Sequence, residues 1–101
     1  MGVVRGFEVL TGSYLGEDWN LYGSTIDEAL SVFAREGRAD DMTASIAGFE
    51  DLLATTMTEQ EYYDRWIYGL HSGYDPRDDG FTFPEWFTHA LEVLRAAADT
   101  R

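Results

Sequence analysis

Thr25-Ile26-Asp27-Glu28-Ala29-Leu30-Ser31-Val32-Phe33 is the stretch on which the fold turns. Thr25 and Glu28 stand at capping-box spacing. The threonine oxygen takes an orphan helix N–H while the glutamate reaches back to the cap. Ser24 is an equally good N-cap. Ile26, Ala29, Leu30 and Phe33 then recur at steps of three and four, the apolar stripe of an amphipathic helix. Gly37 closes that helix, with Arg35 and Arg38 suited to the negative end of its dipole.

Downstream the signal repeats. Asp40-Asp41 opens a second helix, an acidic cap followed by the stripe Met42, Ile46, Phe49, Leu52 and Leu53. Gly48 inside it costs helix stability and points to close approach by a neighbouring helix. Thr58-Glu59-Gln60-Glu61 is a second capping box, leading Tyr62, Tyr63, Trp66, Ile67 and Leu70. Thr82-Phe83-Pro84-Glu85 is a third, with proline tolerated in the first turn. Trp86, Phe87, Ala90, Leu91 and Leu94 follow it. Between the last two helices, Asp75-Pro76 marks a turn. Upstream, Val3, Val4, Phe7, Leu10, Tyr14 and Leu15 fall near helical spacing, which predicts a short N-terminal helix despite Gly6 and Gly12. The expected fold is all-α, a compact bundle of about four helices plus that short helix and an aromatic segment. With 101 residues the chain suffices for one core, so residues 1–101 are expected to form a single helical domain.

The aromatic segment is Gly12-Ser13-Tyr14-Leu15-Gly16-Glu17-Asp18-Trp19-Asn20-Leu21-Tyr22-Gly23. Two tyrosines and a tryptophan in twelve residues are not an idle linker. Their rings pack against the helices or meet a partner.

Charge narrows the function. Nineteen acids oppose seven arginines and no lysine, a formal net charge of −12. This argues against nucleic-acid binding, which needs cations to displace phosphate counterions. It argues equally against anionic membrane surfaces. It favours a basic protein partner, although acidic surfaces also serve solubility alone. Without cysteine there are no disulfides, zinc thiolates or thiol chemistry. No apolar run approaches membrane-spanning length, and Met1 to Glu8 has neither a secretory apolar core nor a myristoylation pattern. The expectation is a cytoplasmic protein.

Candidate chemistry finds little footing. An EF-hand register starting at Asp75 puts Arg77 where a ligand is needed and Trp86 where the bidentate glutamate belongs. The alternative is an acidic turn in which Asp75 and Asp79 hydrogen-bond local backbone. His71 and His89 form no metal spacing. Ser13 and Ser72 lie in no nucleophile-elbow pattern. The glycines form no phosphate loop. No catalytic, cofactor or metal site is expected. Many acids are accounted for by first turns of helices: Asp27, Glu28, Asp40, Asp41, Glu59, Glu61 and Glu85. Glu17, Asp18, Asp75, Asp78 and Asp79 are not. They flank Tyr14, Trp19, Tyr22 and Tyr74, either as a recognition surface for an arginine-rich partner or as solvated acids beside core rings.

The order Gly-Ser-Tyr-Leu-x-x-Asp-Trp-x-x-x-Tyr-Gly over 12–23, followed by a capped helix, resembles immunity proteins of contact-dependent growth inhibition systems. Leu52-Leu53 before the Thr58 box agrees with that family. So does the Gly73-Tyr74-Asp75-Pro76 turn followed by Asp79-Gly80 and Glu85-Trp86. The likeness spans about residues 10 to 95. Gly16-Glu17 stands where the family commonly has an amide or histidine before Asp18. The resemblance implies an intracellular helical inhibitor of a toxin C-terminal domain delivered by a neighbouring cell, often a basic nuclease. It also implies that the shared motif residues Tyr14, Asp18, Trp19, Tyr22, Tyr74, Asp75 and Trp86 are scaffold, because the toxin-facing surface of such proteins diverges.

The expected function is therefore a non-enzymatic immunity protein that occludes the toxin's active site, with Glu17, Asp78 and Asp79 as toxin contacts. It would need no cofactor, bind neither nucleic acid nor membrane, and exist as a monomer or weak dimer. An interface of ~800 Å² would use roughly 14% of the ~5,800 Å² surface that mass scaling gives. The alternative is an acidic protein-binding adaptor or regulator unrelated to toxins.

Overall fold

A computed structural model describes residues 6–16 and 19–100, so the readings on Val3, Val4, Glu17 and Asp18 lie outside the described residues. Every regular element among the described residues is helical. Four α-helices lie wholly within the described residues: α1 (Ile26–Glu36), α2 (Ala39–Ala54), α3 (Glu59–Tyr63) and α4 (Phe83–Thr100). α4 is the central one: α1, α2 and α3 all pack on it. Its buried face carries Phe83, Trp86, Phe87, Ala90, Leu91 and Leu94.

The helix starts follow the capping chemistry, with two differences. At α3, Thr58 accepts from the Glu61 N–H and Glu61 accepts from the Thr58 N–H, so the box is complete. At α4, Thr82 and Glu85 exchange the same pair of bonds, 2.8 and 3.3 Å. At α1, Thr25 accepts from the Glu28 N–H at 3.2 Å, but Glu28 reaches one residue further and accepts from Ser24, 3.0 Å away. α2 is not acid-capped. Arg38 occupies its N-cap without a side-chain bond, and Asp40 and Asp41 lie inside the first turn, where they serve the dipole. Gly37 ends α1 in an extended conformation (φ −66°), not the left-handed one. Its requirement is space, since a Cβ there would stand 2.6 Å from the Phe33 carbonyl oxygen.

Two runs wind more widely than α-helix. Residues 6–8 are helical and continue into a π-helical run, Val9–Tyr14. α3 continues without interruption into a second, Asp64–Gly69. The Leu15 N–H closes the first on the Leu10 carbonyl, and the Leu70 N–H closes the second on Arg65, each at 2.8 Å. Their C-terminal ends are tied to one another. The Thr11 hydroxyl donates to the Leu70 carbonyl at 2.6 Å. The Leu15 carbonyl accepts from the Gly73 N–H at 2.8 Å and from the Ser72 hydroxyl at 3.2 Å. Helix-terminal carbonyls that would otherwise be buried without partners are thereby satisfied. His71, left-handed at φ +60°, makes the turn out of the second run.

The core is aromatic. Trp66 lies 5.4 Å from Trp86 and 5.2 Å from Phe87, with Phe49 at 5.7 Å from both Trp66 and Phe87. Phe7 closes the group edge-on to Phe49 at 4.9 Å. Each large buried side chain contributes about 1.5–3 kcal/mol by leaving water. No described helix is long and apolar enough to cross a membrane.

Candidate functional site: an acidic cleft with aromatic walls

The tie between the two π-helical runs presses the segment after His71 against the N-terminal segment. From there the chain builds one wall of a cleft. Tyr74 is buried and held at each of its polar groups. Its carbonyl accepts from the Trp66 indole N–H at 2.7 Å, its N–H donates to the Ser72 hydroxyl at 3.2 Å, and its phenol donates to Asp79 at 2.7 Å. Its ring packs on Trp86 at 5.2 Å. Asp75 caps a 3-10 turn, Pro76–Asp79, by accepting from the Arg77 N–H at 3.0 Å. Gly80 at φ +84° turns the chain back, a conformation other residues adopt only with strain. Phe81 follows, partly exposed and stacked parallel to His89. His89 in turn hydrogen-bonds Asp27 at the start of α1, 3.0 Å away.

The opposite wall comes from Trp19, in a 3-10 turn over Trp19–Leu21, and from Ser24 to Asp27 at the start of α1. Between the walls lies a cleft of about 450 Å³ lined by Trp19, Ile26, Asp27, Tyr74, Asp75, Asp78, Asp79 and Phe81, among others. A second cleft of about 590 Å³ is lined by Tyr63, Ile67, Tyr68 and His71, among others. The two share Gly73, Asp75 and Asp78.

The first cleft is electrostatically one-sided. Arg77 neutralises Asp75 through a two-pronged pair, Nη2 at 2.8 Å and Nε at 3.0 Å, and this holds the Asp75 carboxyl below the usual carboxylate range. Asp27, Asp78 and Asp79 have no arginine partner among the described residues. Burial comes first, and the bond to Asp79 and the fields of Asp79, Asp27 and Asp78 add to it, in pushing the Tyr74 phenol far above its usual range. Three carboxylates therefore act on one point of the cleft wall. No three acids or histidines among the described residues are grouped closely enough to hold a metal ion. His89 bonds a carboxylate but no hydroxyl among the described residues, so no nucleophile–base pair forms there.

The loop contacts expected from the sequence, Asp78 and Asp79, both line this cleft, and Glu17 lies outside the described residues. Of the residues expected as scaffold, Tyr74 and Trp86 are buried, and Tyr14 packs on Phe33 at 5.1 Å and Tyr22 at 4.7 Å. Trp19, Tyr74 and Asp75 also line the cleft, so structural and lining positions coincide. Tyr22 is exposed and does not line the cleft, and Asp18 lies outside the described residues. Asp79 differs from expectation in its partner: it accepts from the Tyr74 phenol, not from local backbone. The sequence reading missed Asp27, Phe81 and His89. Asp27 already had a local explanation in the helix dipole, and its His89 partner stands 62 residues away.

Comparison with known proteins places this geometry. A family model described as CdiI immunity protein matches residues 4–94. No curated protein matches the chain. A chain in the crystal structure of a CdiA-CT/CdiI complex from Y. kristensenii 33638 superposes with a TM-score of 0.81 at 22% sequence identity, covering 91% of this chain and 98% of that one. That likeness shows a shared fold, and the family match, over most of the sequence, shows that the chain belongs to the CdiI immunity protein family.

Proposed function

We propose that this chain neutralises a CdiA toxin C-terminal domain by binding it one to one and covering a cationic active-site surface. The toxin in this reading is a basic nuclease, met in the cytoplasm of the protected cell. The observation that carries the reading is the cleft: three carboxylates without arginine partners among the described residues, framed by aromatic rings, on a chain of net charge −12 in an immunity family. A nuclease must hold phosphates, so its active site presents cations that such a surface complements. The inhibitor has no bond to break in this mechanism. Its work is steric and electrostatic.

Exposed large apolar side chains lie in the same segments. Among the described residues Phe81 lines the first cleft, Tyr68 lines the second, and Leu21 and Tyr22 follow Trp19 in the chain. Aromatic anchors surrounded by polar groups are the usual centre of a protein interface. The test is co-expression with the C-terminal domain of the large surface protein encoded directly upstream. Cell survival and a one-to-one complex are expected. Toxicity without rescue, or rescue without a complex, would overturn stoichiometric occlusion.

A further inference from the structure

We infer that the cleft between Trp19, Asp27 and the loop from Gly73 to Phe81 is the receptor for one arginine side chain of the toxin domain, its guanidinium held by Asp27, Asp78 and Asp79 beside the aromatic walls. The inference rests on the immunity reading and names the chemistry by which this face recognises its partner.

The protein itself shows how this turn handles a guanidinium. Within the same loop, Arg77 is gripped by Asp75 while its guanidinium carbon lies 4.9 Å from the Tyr63 ring centre and 5.2 Å from that of Phe83. Carboxylate on the edge and rings on the face is the arrangement that suits a planar, delocalised cation. The 450 Å³ cleft repeats that set of residue types, Asp27, Asp78 and Asp79 with Trp19, Tyr74 and Phe81, and no arginine among the described residues lines it. Its charge complements a cation, and among the described residues no three acids are grouped closely enough for a metal ion, which favours a larger one. A lysine ammonium is compact and strongly hydrated, and gains less from aromatic walls than a guanidinium does. The loop wall is also held in place. Hydrogen bonds engage the N–H, the carbonyl and the phenol of Tyr74, and Asp79 accepts from that phenol, so ordering this wall costs little when the partner arrives.

The test uses the full chain and the toxin domain, with affinity measured by calorimetry. Asp27→Asn/Asp78→Asn/Asp79→Asn removes the cleft charges while keeping an acceptor for Tyr74. Asp51→Asn/Glu92→Gln/Asp99→Asn makes the same change of net charge elsewhere on the surface. The cleft variant is expected to bind roughly 30-fold or more weaker, and the control within about threefold of the unmodified chain. Asp78→Asn alone guards against misfolding, because the Asp78 side chain has no hydrogen-bond partner among the described residues, and it should weaken binding with an unchanged melting temperature. One arginine of the toxin, replaced in turn by lysine, should weaken binding to the unmodified chain but not to the cleft variant, the signature of a coupled pair. Equal losses in the two triple variants, or no toxin arginine coupled to the cleft, would overturn this inference and leave the immunity reading standing. An unmodified chain that does not bind the toxin domain would overturn both.

Discussion

Gly48 sits where the ring of Phe7 crosses α2. A Cβ added there would stand 2.2 Å from one ring carbon and 2.6 and 2.7 Å from two others. Phe7 is buried and packed edge-on to Phe49, so shifting its ring would break that contact. Two effects then compete in Gly48→Ala. Helix propensity favours alanine by ~1 kcal/mol. Forcing a Cβ into a well-packed ring contact costs about 1–3 kcal/mol. The clash involves the body of a ring, not the tip of a flexible side chain, so the second effect wins. Urea unfolding should show Gly48→Ala destabilised by about 1–2 kcal/mol in spite of its better helix former; a stabilised variant would mean that Phe7 can move aside. The need for a close approach at Gly48 was legible in the sequence, because glycine inside an apolar helical stripe is otherwise unexplained. Its occupant was not. The neighbour is a ring from the N-terminal segment, brought there by tertiary packing across some forty positions that periodicity does not reach.

At the scale of elements, what was legible is what is local. The boxes Thr58/Glu61 and Thr82/Glu85 close within three residues, so spacing alone identifies them. The two π-helical runs were not legible, since the bonds that secure them join Thr11 to Leu70 and Leu15 to Ser72 and Gly73. The second run nevertheless keeps Trp66 buried, which is why a plain helical stripe found the right core residues over the wrong local geometry. The caps also carry a pH dependence with a definite sign. The Thr58 N–H bond, and then the Thr58 hydroxyl, hold the Glu61 carboxyl below its ordinary 4.5, and Thr82 does the same for Glu85. A carboxyl whose folded value is depressed contributes stability above its unfolded value, and loses it as pH falls through the folded one. Cap stability is thus fully present above 4.5 and drains away below it. Glu61→Gln/Glu85→Gln should therefore melt lower than the unmodified chain near neutral pH. The gap should narrow as pH drops from about 5 to about 3. A gap of constant width across that range would assign the caps' contribution to hydrogen-bond geometry alone.

For the whole molecule, the question is how far the charge reaches. The chain measures 34 × 29 × 21 Å across its principal axes and exposes 5836 Å². Three of its arginines are paired with its own acids: Arg35 with Glu36, Arg77 with Asp75 and Arg95 with Glu50. These pairs leave the net charge of −12 in place, and composition alone revealed the size of that excess but not its focus. The focus depends on Asp27, Asp78 and Asp79 meeting at one cleft from α1 and from the loop before α4, a meeting that exists only once the chain has folded. These two levels separate experimentally through salt. At 0.1 M ionic strength the Debye length is ~10 Å, shorter than any dimension of the protein, so acids remote from the interface are screened from the partner. At 0.01 M it grows to ~30 Å and the entire surface contributes to attraction. Association with the toxin domain should accordingly accelerate by roughly tenfold or more on that dilution. The dissociation rate should change far less, because it reports contacts already desolvated in the complex. Stopped-flow mixing across the salt series reads both rates. An association rate indifferent to salt would remove the long-range field from the mechanism and leave recognition to the shape and short-range contacts of the cleft.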